Sequence, residues 1–188
     1  MAQEIEIEEK MLLSEEKFTE LLSALDFPDK PFIQTNYYFE TPDLALKNNL
    51  CALRIRKKGS HYIMTLKEPH RDGILETHDT LTSEDLKRAK NNINIDAPNC
   101  AKQLALKQID ISQIIYFGSL TTERYEFEKN QLIYVLDKSS YNNMIDYELE
   151  IEAPSRSLGV DTINHLIKRF NIPRVETISK IQRFFKTR

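Results

Sequence analysis

The sequence predicts an α+β domain organised around one large antiparallel sheet or barrel. Three observations carry that prediction: the first two are that stretches in which polar and apolar residues alternate outnumber stretches with helical spacing, and that short turn-forming clusters separate them. The third is that no repeat, low-complexity tract or linker rich in Pro, Gly or Ser divides the 188 residues. Residues 1–188 therefore read as a single domain, long enough to bury a core without disulfides or a structural metal.

Residues 4–13 alternate and read as a strand. Ser14 is placed as a helix N-cap, with Glu15 and Glu16 in the first turn. Phe18, Leu21, Leu22 and Leu25 then share a helical face that the 26–31 stretch terminates. Residues 32–39 are extended and lead into a turn at Thr41-Pro42-Asp43. The pattern predicts a hairpin of 52–57 and 61–67 joined across Lys58-Gly59-Ser60, followed by a strand over 74–80. Helices are expected over 83–90 and 97–107. Strands are expected over 115–129, 131–138 and 144–153, the first two joined by a Lys129-Asn130 turn. Leu158, Ile163, Leu166, Ile167 and Phe170 form a helical stripe over 157–170, and the tail from 178 reads equally as a short helix or a strand.

Composition excludes several classes of function. Lys+Arg number 26 against 29 Asp+Glu, a net charge of −3, which lacks the basic field of a general nucleic-acid binder. No apolar run approaches the ~18 residues of a membrane span, and the acidic N-terminal stretch is unlike a signal peptide. Cys51 and Cys100 form no CxxC pair, which fits a reducing, cytoplasmic setting and no zinc site; both thiols are expected to be inert. With 4 glycines the chain has neither a P-loop nor GxGxxG, so phosphate would have to be held by side chains.

The alternation also sorts charge. On the first strand Glu4, Glu6, Glu8 and Lys10 share a face opposite Ile5, Ile7 and Met11; on the last, Glu148, Glu150 and Glu152 oppose Leu149 and Ile151. Arg54 and Arg56 point together, away from Leu53 and Ile55, while Arg124 lies opposite Tyr125 and Phe127. Same-face neighbours on a strand are about 6.6–7 Å apart, so a row of carboxylates repels itself. Solvent-facing sheet surfaces usually mix acids with Lys, Thr and Ser. Sorted rows suit a site in which carboxylates hold a hard divalent cation and Arg and Lys hold a polyanion. Asp137 is a further candidate carboxylate, and His78 reads more simply as an ordinary polar residue than as a proton donor.

These residues carry a resemblance to a known family. Glu6-Ile7-Glu8-Glu9-Lys10 resembles the ExExK signature of the CYTH superfamily, the triphosphate tunnel metalloenzymes. Tyr38-Phe39-Glu40-Thr41-Pro42, Leu53-Arg54-Ile55-Arg56, Thr65-Leu66-Lys67, Glu76, Arg124, Glu148-Leu149-Glu150 and Ser179-Lys180 follow in the family's order. Residues 73–80 and the acidic run at 148–152 resemble most the branch common in Gram-positive bacteria.

The resemblance implies a closed eight-stranded antiparallel β-barrel, a tunnel with flanking helices, binding triphosphate or polyphosphate compounds with Mg2+ or Mn2+. It places Glu6, Glu8, Glu148 and Glu150 at the metal; because the late acidic run continues to Glu152, any two of Glu148, Glu150 and Glu152 can be the late pair of ligands. Lys10, Arg54, Arg56, Lys67, Arg124 and Lys180 would grip phosphate, and Glu6, Glu8, Lys10 and Glu76 would serve catalysis. The family's second basic residue near Arg124 is missing, since Thr122 and Glu126 flank it.

Phosphoryl transfer needs positioning and charge stabilisation more than covalent chemistry, and no Ser/His/Asp or Cys/His nucleophile arrangement is visible. The expected activity is metal-dependent hydrolysis of tripolyphosphate or a small organic triphosphate. The alternatives are a class IV adenylyl cyclase and a non-catalytic polyphosphate- or nucleotide-binding module. No membrane or nucleic-acid partner is expected, and a homodimer is compatible with this reading.

Overall fold

A computed structural model describes residues 2–175 and 177–187. Among the described residues nine strands and six α-helices follow in the order β1 (Gln3–Glu6), β2 (Glu8–Leu13), α1 (Glu15–Ala24), β3 (Phe32–Glu40), α2 (Ala45–Asn48), β4 (Ala52–Lys58), β5 (His61–His70), β6 (Gly73–Leu81), α3 (Ser83–Lys90), α4 (Pro98–Leu106), β7 (Ile115–Lys129), β8 (Leu132–Tyr141), β9 (Met144–Glu152), α5 (Arg156–Phe170) and α6 (Lys180–Lys186), with a short 3-10 turn at Ile111–Gln113 before β7. The α+β class holds, with nine strands rather than the eight expected. The single strand expected over 4–13 is interrupted at Ile7, and its two halves pair with different neighbours, β1 with β6 and β2 with β9.

The chain divides into two compact units at that same point. Unit one comprises the chain up to Glu6 with Gln34–Leu120; unit two comprises Ile7–Ile33 and the chain from Thr121 onward. Strand order is β1-β6-β5-β4-β3-β7 in unit one and β7-β8-β9-β2 in unit two, the long β7 contributing its first part to one and its second part to the other.

Each unit has its own apolar core. In unit one, Leu53, Ile55 and Leu66 from the backs of β4 and β5 pack with Leu86 of α3 and Cys100 and Leu104 of α4. In unit two, Met11, Leu136, Leu149 and Ile151 pack with Phe18 and Leu21 of α1 and Ile163 and Leu166 of α5. Burying a side chain of this size stabilises by roughly 1.5–3 kcal/mol. Because strand side chains alternate, filling one face with these residues forces Arg54, Arg56, Lys10 and the late glutamates onto the other.

Local chemistry fixes the boundaries. The Ser14 hydroxyl accepts from Lys17 N at 3.2 Å as the N-cap of α1. Gly59, at φ +60, turns the β4–β5 hairpin. Asn130 and Gln131, both left-handed, turn β7 into β8, and Asn142 and Asn143 turn β8 into β9. Two buried acids are explained entirely by helix starts. Glu40 accepts from the backbone N–H groups of Thr41, Leu46 and Lys47 at 2.8–3.0 Å, seating α2. Asp79 accepts from the backbone N–H groups of Asn99 and Cys100 at 3.2 and 2.8 Å, capping α4, whose own Ala97 offers no side-chain cap. The tail resolves as a helix, α6, begun by a capping box of Ser179 and Gln182.

Candidate active site

In unit one the polar faces of β1, β6, β5, β4 and β3 carry the charges, and strand register sets them side by side. Glu4 lies opposite Glu76, Glu76 opposite Lys67, His78 opposite Thr65, Thr65 opposite Arg54, and Arg56 opposite Asn36. Lys67 Nζ sits 2.5 Å from both Glu6 Oε2 and Glu76 Oε1. Burial favours the neutral acid at Glu76, yet the charges of Lys67 and Arg54 hold its carboxyl below the usual range. Thr65 Oγ1 is 3.1 Å from His78 Nδ1, and His78 Nε2 is 3.1 Å from Glu4 Oε1 and 3.5 Å from Glu76 Oε2. One ligand atom from each of Glu4, Glu76 and His78 lies within 4.8 Å of the others, a donor set that suits a divalent cation.

The two arginines of β4 are held differently. Arg56 Nε donates to Asn36 Oδ1 at 2.9 Å, whereas Arg54 Nε is buried and has no hydrogen-bond partner among the described residues. Gln34, on the same face of β3 as Asn36, is also fully buried, its Nε2 without a hydrogen-bond partner among the described residues.

In unit two the polar faces of β7, β8, β9 and β2 form a network closed by α6. Glu8 lies opposite Glu152, Lys10 opposite Glu150, Asp137 opposite both Arg124 and Glu148. Arg124 donates through Nε and Nη2 to the two oxygens of Asp137 at 2.7 and 2.6 Å, and through Nη2 to Glu150 at 2.8 Å. Lys180 Nζ lies 2.5 Å from Asp137, 2.5 Å from Glu150 and 2.8 Å from Glu148. Arg183 donates to Asp146 at 2.9 Å, and its Nη2 approaches Glu148 to 2.5 Å as a charge pair lacking hydrogen-bond alignment. Lys10 is paired with Glu8.

The electrostatics follow from burial among opposite charges. Burial alone would drain the charge from Lys180 and Arg124. Instead Asp137, Glu150 and Glu148 hold the Lys180 ammonium firmly protonated, and Asp137 and Glu150 do the same for Arg124. Burial likewise works against the Lys10 ammonium, but Glu8, Glu150 and Glu148 raise its pKa. The two central acids separate. Burial, aided by the charge of Glu150, pushes Glu148 up to about 7, while Lys180 and Arg124 overcome burial to hold Glu150 well below the usual range.

The structure thus brings Glu6, Lys67, Glu76 and Arg54 together in unit one, and Glu8, Lys10, Arg124, Glu148, Glu150 and Lys180 in unit two; Glu152 shares their face. The expected gap beside Arg124 is met from elsewhere. Glu126 is exposed, Thr122 pairs with Ser139, and the additional cation on Arg124's carboxylates is Lys180. Sequence reasoning missed Asn36, Asp146 and Arg183. Arg183 had a legible signal, since three residues after Lys180 it shares a face with it only if the tail is helical. Asp146 extends the Glu148–Glu152 face by one step of the same alternation.

Comparison with known proteins now bears on this geometry. The CYTH domain model matches residues 4–185. The chain belongs to the CYTH domain family. It is 43% identical over 188 residues to YjbK of Bacillus subtilis, a protein named as a candidate triphosphatase, covering 99% of this chain and 97% of that one. A crystal structure from Bacillus halodurans, described as a candidate adenylate cyclase, superposes with a TM-score of 0.93 at 41% identity, covering 98% of this chain and 100% of that one. HpAC1 from Hippeastrum, described as a candidate adenylyl cyclase with a dominant triphosphatase activity, shares the fold at a TM-score of 0.81 and 22% identity, covering 97% and 96%.

Proposed function

We propose that this CYTH protein is a metal-dependent hydrolase of small triphosphate compounds, inorganic tripolyphosphate or a small organic triphosphate. The observation that carries the reading is Arg54 Nε, a buried guanidinium donor without a hydrogen-bond acceptor among the described residues, in a row of cations on one face of unit one. A buried charged donor is costly to leave unpaired, and phosphate oxygens are the acceptors a guanidinium fork fits best. The name of the Bacillus subtilis relative supports the same reading.

In this account Arg54, Arg56 and Lys67 of unit one bind phosphate oxygens, whereas Lys10, Arg124 and Lys180, expected to do the same, are each matched to carboxylates within unit two. Oxygen donors for Mg2+ or Mn2+ are Glu6 in unit one and Glu8, Glu148, Glu150 and Glu152 in unit two, a donor type both ions favour. When bound, such an ion supplies charge neutralisation on the phosphoryl oxygens. Glu76, kept ionised beside Lys67 and Arg54, accepts a hydrogen bond from the attacking water and so orients it. Because the family match runs over 4–185, we take the whole chain as one catalytic domain. Among the described residues no helix is long and apolar enough to cross a membrane, and both cysteines are free and buried, which supports work in a reducing cytoplasm on a small-molecule substrate.

The test is product analysis with tripolyphosphate, ATP and thiamine triphosphate, each with Mg2+ and with Mn2+. Orthophosphate released from tripolyphosphate is the expected result. Pyrophosphate and cyclic AMP from ATP would replace this reading with the cyclase named for the Bacillus halodurans structure. Tight binding without turnover would leave a binding module.

A further inference from the structure

Three arginines lie on the polar faces of these sheets with their Nε groups in different hands. Arg124 gives Nε and Nη2 to one carboxylate, so the edge of its fork is taken and its charge is cancelled. Arg54 Nε is buried without a hydrogen-bond partner among the described residues. Arg56 Nε is held at 2.9 Å by Asn36, a neutral acceptor. The assignment of that acceptor is unambiguous, because a guanidinium only donates and the amide oxygen must therefore face it.

We propose that Asn36 is a positioning residue for triphosphate, orienting the Arg56 guanidinium so that it meets phosphate oxygens already aimed; this rests on the triphosphate reading above. The physical case has three parts. Asn36 is 1% exposed and locked opposite Arg56 by the β3–β4 register, so its oxygen is a fixed point rather than a mobile surface group. Engaging Nε sets the plane of the guanidinium and turns the Nη edge away from the strand contact, and a long side chain fixed beforehand loses less freedom when its ligand arrives. An amide, unlike the carboxylate that holds Arg124, does this without itself bringing a negative charge to the guanidinium.

The experiment uses Asn36→Leu, of similar size without an acceptor, together with Arg56→Lys and the double variant. In substrate-free protein, the Arg Nε–H resonance that Arg56→Lys removes is expected to be sharp and slow to exchange, and Asn36→Leu should broaden it or speed its exchange. In calorimetry with tripolyphosphate and EDTA, Asn36→Leu should weaken binding about tenfold, and under turnover it should raise KM by a similar factor while kcat changes by less than about twofold, the scale of one hydrogen bond. Placed on Arg56→Lys, Asn36→Leu should add less than about twofold, since the two residues act as one. Wild-type affinity in Asn36→Leu, or an undiminished effect in the Arg56→Lys background, overturns the inference. Should Asn36→Leu fail to fold by circular dichroism, Asn36→Ser is measured in the same way and decides by the same criteria. If wild-type protein binds no tripolyphosphate, the functional reading fails and takes the inference with it; binding that is indifferent to residue 36 removes the inference alone.

Discussion

The charged faces of the two units are built from the same residue types and do opposite things with them. In unit two, Lys10, Arg124, Lys180 and Arg183 are each matched to carboxylates, in a network that includes Asp137 and Glu148, both fully buried. In unit one, Lys67 bridges two glutamates, but Arg56 Nε is held by a neutral amide and Arg54 Nε by nothing among the described residues. Mutual neutralisation makes unit two a place where removing any charge leaves another stranded. Unit one instead keeps a buried guanidinium N–H, that of Arg54, without an acceptor among the described residues and open to a ligand's oxygen. Stability and phosphate affinity should therefore respond to different arginines.

The largest effect expected from that contrast is thermodynamic. Arg124→Ala leaves Asp137 and Glu150 buried with Lys180 as their remaining partner, and loss of one member of a buried ion network costs about 3–5 kcal/mol. Urea unfolding at pH 7 should show this, while Arg54→Ala should change stability by less than about 1 kcal/mol. Equal losses in the two variants would erase the distinction between the units.

A smaller effect sharpens it by pH. The Glu148 carboxyl is pushed up to about 7 by burial and by the charge of Glu150. Its folded pKa thus exceeds the unfolded value, so the stability it contributes as a neutral acid is complete below the unfolded pKa and fades as pH rises through about 7. Carbon-13 NMR titration should find one glutamate carboxyl changing charge near neutrality, absent in Glu148→Gln, and Glu148→Gln should flatten the decline of stability over that window. A titration midpoint in the ordinary carboxylate range would contradict it.

The expected sheet, helices and turns were nearly all legible, because alternation and caps are local. Ser14, Gly59 and Asn130 act where their chemistry predicts. What was not legible depended on distant partners. The break at Ile7 leaves no mark in a strand whose alternation runs through it; only the two pairing partners, β6 and β9, reveal it. Asn36 looks like any polar residue of a strand until Arg56 is set opposite it. Glu40 and Asp79 carry no sequence sign of their partners, because the backbone N–H groups they accept from belong to helices that begin later in the chain. The sorted Glu and Arg rows were readable because one face is filled by the core, whereas Arg183 required knowing that the tail is a helix.

The smallest effect concerns the cysteines. Burial raises the Cys51 thiol to about 11 and the Cys100 thiol further, so both stay protonated at pH 8. Native protein should react with a thiol reagent at least about a hundredfold more slowly than protein unfolded in guanidinium, where both should titrate. Rapid reaction of the native thiols would show that unit one's core is open at these positions.

The central claim is that Arg54 and its neighbouring cations of unit one, beside their glutamates, carry out triphosphate hydrolysis. Orthophosphate release from tripolyphosphate with Mg2+, compared between wild-type protein and the Arg54→Ala, Glu6→Gln double variant, tests it most directly. The account predicts measurable turnover in the first and a loss of at least about a hundredfold in the second, with the variant still folded. Undiminished turnover in the folded double variant would contradict it.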